Sequence, residues 1–88
     1  MTDLSTYCKR LNIPIRMLKS RSKKAKIVTA RQVYWHHMYY TRKCTLGWIG
    51  LVFARTHSTV YHGIKRINNL ISLNDKYIKR FLEAINNK

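Results

Sequence analysis

Apolar residues return along this chain at spacings of three and four, and nowhere alternate as a strand would. Leu4, Tyr7, Cys8 and Leu11 share one face of a predicted first helix, which Thr2-Asp3 can cap and Asn12 can end. Pro14 suits the first position of a short second helix holding Ile15, Met17 and Leu18 and stopping near Ser20, because its missing N–H has no partner there anyway. Thr29 can cap a longer helix from Ala30 to about Arg42. In it Val33, His37, Tyr40 and then Cys44 make one stripe, with Tyr34, Met38 and Thr41 beside it, while Trp35, His36 and Tyr39 face elsewhere. Thr45 can cap a short apolar helix from Leu46 to Phe53, where Gly50 would let a neighbouring helix come close. Ala54-Arg55 makes a corner, and Thr56 caps a helix from His57 to about Ser72. Its Val60, Ile64, Ile67 and Ile71 recur at i, i+4, i+7 and i+11, a buried stripe. Asn74-Asp75 caps a closing helix to about Ile85, packed through Tyr77 or Ile78, Phe81, Leu82 and Ile85. The pattern predicts a single all-α domain over residues 1–88, with a helix-turn-helix formed by the two helices that flank Ala54-Arg55.

Charge narrows the picture. The chain has 18 Lys and Arg against 3 Asp and Glu, a formal charge of +15. The acids are Asp3, Asp75 and Glu83, so no carboxylate lies between Leu4 and Asn74. A cationic field without interruption attracts polyanions, chiefly nucleic acid. It also leaves few groups for carboxylate acid–base chemistry or for holding hard metal ions. The segment Arg21 to Lys26, RSKKAK, is expected to be a basic loop. With Arg16 and Lys19 it places six cations within eleven residues, an arrangement suited to phosphate contact. A hydrophobic content of 45% is too high for a disordered basic tail. No apolar run approaches membrane-spanning length and there is no signal-peptide core, so a cytoplasmic protein without a membrane partner is expected.

Metal and catalytic chemistry find little support. His36 and His37 are adjacent and diverge around a helix, and His57 and His62 are five apart, so neither makes an i, i+4 pair. Cys8 and Cys44 are not a CxxC pair and are expected to be reduced thiols. No metal, cofactor or enzyme activity is expected. In the 57–72 helix, by contrast, one face anchors and the other is free. The free face offers His57, Ser58, Tyr61, His62 and Lys65, with the hydroxyls of Ser58 and Thr59 able to bond a base or a phosphate. Arg55 in the corner and Arg66 further along suit phosphates, which position a domain without reading sequence.

The stretch FARTHSTV followed by YHGIKRINNL resembles the signature of the DNA-binding C-terminal domain of the bacterial chromosomal replication initiator, the DnaA family. That signature runs Phe, Arg, an acidic residue, His, Ser or Thr, Thr, Val, then a helix ending in a basic pair. Upstream, Ile27-Val28-Thr29-Ala30-Arg31-Gln32 is similar to the opening of the family's long helix, and RSKKAK sits where the family has its basic loop. The resemblance implies base contacts from His57, Ser58 and Thr59, a set that Thr56 and His62 extend. It implies minor-groove insertion from Lys23 or Lys24, contacts to the backbone or nearby bases from Arg31 and Gln32, and a backbone contact from Arg66. Arg21, Lys26, Thr45, Arg55, Tyr61 and Lys65 complete the expected backbone set. Three departures from the family stand out: Thr56 replaces Asp, lysines replace Arg in the loop, and Gly47-Trp48 replaces Pro-Glu. No GxxxxGK[ST] motif occurs, so no ATPase activity is expected.

The leading expectation is a free-standing, sequence-preferring binder of double-stranded DNA in replication-origin or transcription control, for example in a phage or mobile element. The alternative is an interaction protein that engages the host replication initiator or replisome through Trp35, Tyr39, Tyr40 and Trp48. A homodimer seam or an RNA-stacking surface would use the surplus aromatics of the helix from Ala30 to about Arg42.

Overall fold

Short polar side chains and left-handed residues set the helix ends. In the computed structural model, which describes residues 3–86, the Asp3 carboxylate accepts from the Thr6 N–H at 2.8 Å and caps α1 (Leu4–Leu11). Thr2, the other expected cap, lies outside the described residues. Asn12 ends α1 in the left-handed region, with φ 58°. Pro14 is the N-cap of α2 (Ile15–Leu18), one position before the helical place expected for it. Lys43, Ala54 and Asn74 are also left-handed, each just beyond a helix end. None of the glycines takes such a turn; Gly50 and Gly63 instead allow close approach, while a Cβ on Gly47 would meet open space.

The largest departure from expectation is the start of α3 (Ala25–Tyr40), five residues before Ala30. Lys24 is the N-cap without a side-chain bond, and its carbonyl accepts from the Val28 N–H at 2.9 Å. Ile27, Thr29 and Ala30 are buried. Burial of this turn outweighs the local preference of Thr29 for a cap, because packing overrides propensity where an apolar face can be covered. The basic loop therefore shortens to residues 21–24, and Lys26 stands on the first turn of α3.

α3 is the axis of the fold. Its 16 residues span about 24 Å at 1.5 Å each, nearly the full width of a body 28 × 27 × 26 Å. α4 (Leu46–Phe53), α5 (His57–Ser72) and α6 (Lys79–Asn86) pack around it, and α1 closes against α6. Val33, Tyr34, Trp35, His37 and Met38 are all buried, so the helix is covered nearly all round. Trp35, expected to face elsewhere, is 2% exposed and meets the Phe53 ring edge-on at 5.9 Å. Tyr40, expected in the stripe, is exposed because α3 outruns the core at its end. Tyr7 stacks at a tilt on Tyr34 at 5.4 Å and donates its hydroxyl to the Ala30 carbonyl at 2.8 Å.

α5 carries its stripe as expected through Val60, Ile64 and Ile67, while Ile71 is exposed where the helix passes the core. In the last turn Ile78 rather than Tyr77 is buried, and Asp75 accepts from the Tyr77 N–H at 2.8 Å ahead of α6. Gly63 sets the α3–α5 approach: a Cβ there would lie 2.8 Å from the Trp35 ring and 3.0 Å from Gln32 Cγ.

Two predictions follow from this core. Overpacking a rigid buried ring costs about 1–3 kcal/mol, and the better helix propensity of Ala offsets roughly 1 kcal/mol of that. Gly63→Ala should therefore lower stability by about 1 kcal/mol, a fall in Tm of roughly 4–8 °C, and should be neutral or stabilising in a Trp35→Leu background. Equal losses in both backgrounds in denaturant unfolding would refute this contact. His37 is buried with Nε2 unpartnered among the described residues; burial, then the charge of Arg42, holds its pKa below the ordinary 6.5. The unfolded chain therefore binds more protons below that value, so stability is complete above it and falls as pH drops from 6.5. The slope contributed by one proton is at most about 1.4 kcal/mol per pH unit. Between pH 6.5 and 5, His37→Leu should flatten the denaturant midpoint against pH; a slope matching the parent's would exclude His37 as its source.

Candidate nucleic-acid interface

The interface is built on the α4–corner–α5 unit. Thr45 caps α4, accepting from the Trp48 N–H at 3.1 Å, and Thr56 caps α5, accepting from the Thr59 N–H at 3.3 Å. The corner between them is tight. Ala54 is left-handed, the Arg55 N–H donates to the Gly50 carbonyl at 2.8 Å, and a Cβ on Gly50 would collide with the Arg55 carbonyl. Gly50 thus serves the corner's own backbone rather than the approach of a neighbouring helix.

At about 100° per residue, α5 divides cleanly. His57, Tyr61, Lys65, Ser58, His62, Arg66 and Thr59 are all exposed and sweep roughly 200° of the helix. Val60, Gly63, Ile64 and Ile67 fill the remainder and are buried. The Thr56 and Thr59 hydroxyls pair at 3.0 Å. One donates to the other, so the pair keeps one hydroxyl proton for an outside acceptor. At the far edge Arg66 Nη1 donates to Gln32 Oε1 at 2.6 Å and to Thr29 Oγ1 at 3.3 Å, which ties α5 to α3. Gln32 is half-buried.

The basic loop is folded onto the same corner. The Ser20 hydroxyl donates to the Met17 carbonyl at 2.6 Å and accepts from the Ser22 N–H at 3.1 Å. Arg31, 5% exposed, donates from Nε to the Leu18 carbonyl at 2.7 Å and from Nη2 to the Ser20 carbonyl at 2.8 Å. Arg55 reaches the same Ser20 oxygen with Nη2 at 2.7 Å, while its Nη1 donates to the Phe53 carbonyl at 2.8 Å. Burial, then the neighbouring Arg55 charge, lowers the Arg31 pKa. In place of the free guanidinium expected for a backbone contact, the structure has a buried one that holds the loop. Arg55, half-buried, is likewise engaged by carbonyls. Arg21, Lys23, Lys24 and Lys26 are exposed beside it.

A helix-turn-helix with a polar, acid-free outer arc and a basic loop pinned to its corner has a counterpart among known families. Residues 4–67 match the family model of the bacterial dnaA protein helix-turn-helix. The chain belongs to this family. Similar relatives include the chromosomal replication initiator proteins DnaA of Mycoplasma pneumoniae, 32% identical over 82% of this chain, of Flavobacterium psychrophilum, 34% over 86%, and of Campylobacter jejuni, 31% over 97%. The matched regions are 16%, 16% and 19% of those proteins, so the chain spans under a fifth of their length. No solved structure matches it.

Within this DnaA helix-turn-helix, two features escape sequence reasoning. One is the Arg31–Ser20–Arg55 junction, for which neither periodicity nor charge carries a signal. The other is Asn68, exposed on α5, whose amide bridges His36 and Tyr40 at 2.9 Å each. Among the described residues no three His, Cys, Asp or Glu side chains gather as metal ligands, and no helix is long and apolar enough to cross a membrane.

The junction makes a prediction. Arg31→Met removes the donor to the Leu18, Ser20 and Ser22 carbonyls, of which Ser20 keeps Arg55; each carbonyl left unpaired costs about 1–3 kcal/mol. The variant should unfold at lower denaturant, and trypsin should cut the 21–24 loop faster in the folded state. Arg31→Lys should recover only part, since an ammonium lacks the planar fork. Unchanged cleavage in Arg31→Met would show that the loop is held by other contacts.

Proposed function

We propose that this chain is a sequence-preferring binder of double-stranded DNA that lays α5 in the major groove. The observation that supports this most strongly is the exposed arc of α5, polar and acid-free, backed by a buried stripe and flanked by cations on a loop tied to the same corner. His57, Ser58 and Thr59 stand near the α5 N-terminus, where recognition helices meet base edges, with Thr56 and His62 on either side. On this reading Tyr61, Lys65 and Arg66 of the arc, with Thr45 and Gln32 from the neighbouring helices, contact backbone, and Arg21, Lys23, Lys24 and Lys26 hold phosphates or enter the minor groove. Arg31 and Arg55 act through position, by presenting the loop beside the corner. Thr56 caps α5 but has no carboxylate to accept from a cytosine amino group, so the preferred site differs from that of a domain with Asp in this place. The biological role is control at a replication origin or promoter, carried out by occupancy and without ATP hydrolysis.

A second reading, a protein partner in the replication machinery, has a specific observation behind it. Trp48 and Leu51 are 54% and 73% exposed on α4. Trp35, an expected anchor for such a partner, is buried and does not take part. A partner captured by the parent protein after nuclease treatment and lost on Trp48→Ala would favour this reading.

Duplex binding is checked by selection on randomised duplexes, followed by affinity measurements against salt. With about six to ten phosphates contacted, affinity should fall roughly 10³- to 10⁵-fold between 50 and 200 mM salt. His57→Ala should cost about 1–3 kcal/mol on the selected site and relax preference at one base pair. Uniform weakening on every sequence would remove His57 from base reading.

A further inference from the structure

Beside the duplex-facing arc of α5 runs a narrow groove whose walls include Tyr39 and Tyr40 of α3, Leu46 of α4, and Tyr61, Lys65 and Asn68 of α5. Its three tyrosines are 38%, 45% and 48% exposed. Tyr40 is nevertheless not a loose surface ring. Asn68 Nδ2 donates to its hydroxyl at 2.9 Å. The other amide atom, Asn68 Oδ1, is 2.9 Å from His36 Nε2, so that nitrogen carries the proton. The His36 ring lies 4.6 Å from the Tyr40 ring, and Tyr39 meets it edge-on at 5.0 Å. An exposed aromatic ring is thus braced by neighbours from two helices while nearly half of it faces solvent.

We propose that this groove binds unpaired DNA, with a base stacked against the Tyr40 ring and Lys65 on the adjoining phosphate. Three observations select that occupant. Stacking platforms interleaved with cations are what single strands need, because every base has a π-face and every linkage a charge. The groove is lined by Lys65 and by no carboxylate, so the charge on its walls is cationic. The same helix lines the groove with Tyr61 and Lys65 and presents His57 to the duplex, so the DNA read by α5 can deliver the strand. The bracing of Tyr40 lowers the cost of ordering the ring on binding. This inference rests on the duplex-binding reading above and adds to it an adjoining single-strand site, which shares Tyr61 and Lys65 with the duplex-facing arc.

The test uses fluorescence anisotropy with labelled oligothymidylate of about 12 residues, the matching oligouridylate and a labelled duplex carrying the selected site. Tyr40→Ala should weaken oligothymidylate binding by roughly 5- to 150-fold, the range for loss of one base stack, while duplex affinity stays within about twofold of the parent. Tyr40→Phe, which keeps the ring and loses the hydroxyl, should retain most single-strand affinity. In the parent protein, a strand with a central 2-aminopurine should change fluorescence on binding as the base stacks, a readout that needs no variant. The proposal is overturned by parent-like oligothymidylate affinity in Tyr40→Ala, by equal losses in Tyr40→Ala and Tyr40→Phe, by absence of the 2-aminopurine response, or by tighter binding of the oligouridylate. His57→Ala separates the two readings. If it leaves duplex affinity unchanged while the Tyr40 effects hold, the duplex assignment fails and the single-strand site stands. The converse pattern removes only the groove.

Discussion

One carbonyl oxygen, that of Ser20, joins the two parts of the interface. Arg31 reaches it from α3 and Arg55 from the helix-turn-helix corner, at 2.8 and 2.7 Å. Two guanidinium groups at one acceptor repel each other, and no carboxylate lies nearby in sequence to balance them. Charge-assisted bonds to several carbonyls hold them in place, including those of Leu18 and Phe53. The result is a basic loop with little freedom relative to α5. A cationic loop that binds a polyanion from a held position loses less entropy than one ordered on contact. On the function proposed above, both arginines act mainly by placing other cations.

A second constraint fixes the angle at which α5 is presented. Trp35 lies flat in the core between Gly63 of α5 and Phe53 of α4. The absence of a side chain at Gly63 lets the α5 backbone come down on the indole, and the Phe53 edge contact ties that same ring to the first helix of the pair. Because packed interiors give little, a shift at this ring moves the recognition arc as a unit. The aromatic wealth of α3 is thus divided between two tasks. Tyr34 and Trp35 locate the helix-turn-helix from inside, and Tyr39 and Tyr40 emerge at the helix end beside the outer face of α5.

The charge balance that suits this module to a polyanion also burdens it. A formal charge of +15 on 88 residues repels itself throughout the fold. The structure directs several cations onto neutral acceptors: Arg31 onto the Leu18 and Ser20 carbonyls at 2.7 and 2.8 Å, Arg55 onto the Phe53 carbonyl at 2.8 Å, and Arg66 onto Gln32 at 2.6 Å. A hydrogen bond to a neutral acceptor leaves the guanidinium charge in place, so these arginines still contribute to the field that attracts a polyanion.

Much of the fold was legible in the sequence, because helix periodicity and caps are local properties. Leu4 to Leu11, Leu46 to Phe53 and His57 to Ser72 have the bounds that apolar spacing and the Asp3, Thr45 and Thr56 caps imply. Local reasoning failed where a distant partner decided the outcome. Thr29 has the chemistry of a cap, yet lies inside α3 because Ile27 and Ala30 found cover in the core. Trp35 and Tyr40 exchanged their expected environments, since helical spacing orders residues around an axis without saying where the neighbours end. The exposed face of α5 follows from its own stripe, so His57, Ser58 and Thr59 were nameable as candidates beforehand. That Arg31 is buried, that Arg55 binds a loop 35 residues away, and that Asn68 braces Tyr40 were not. A lone polar residue carries no periodic signal, and its partner is set by which helices meet, which only the tertiary structure determines.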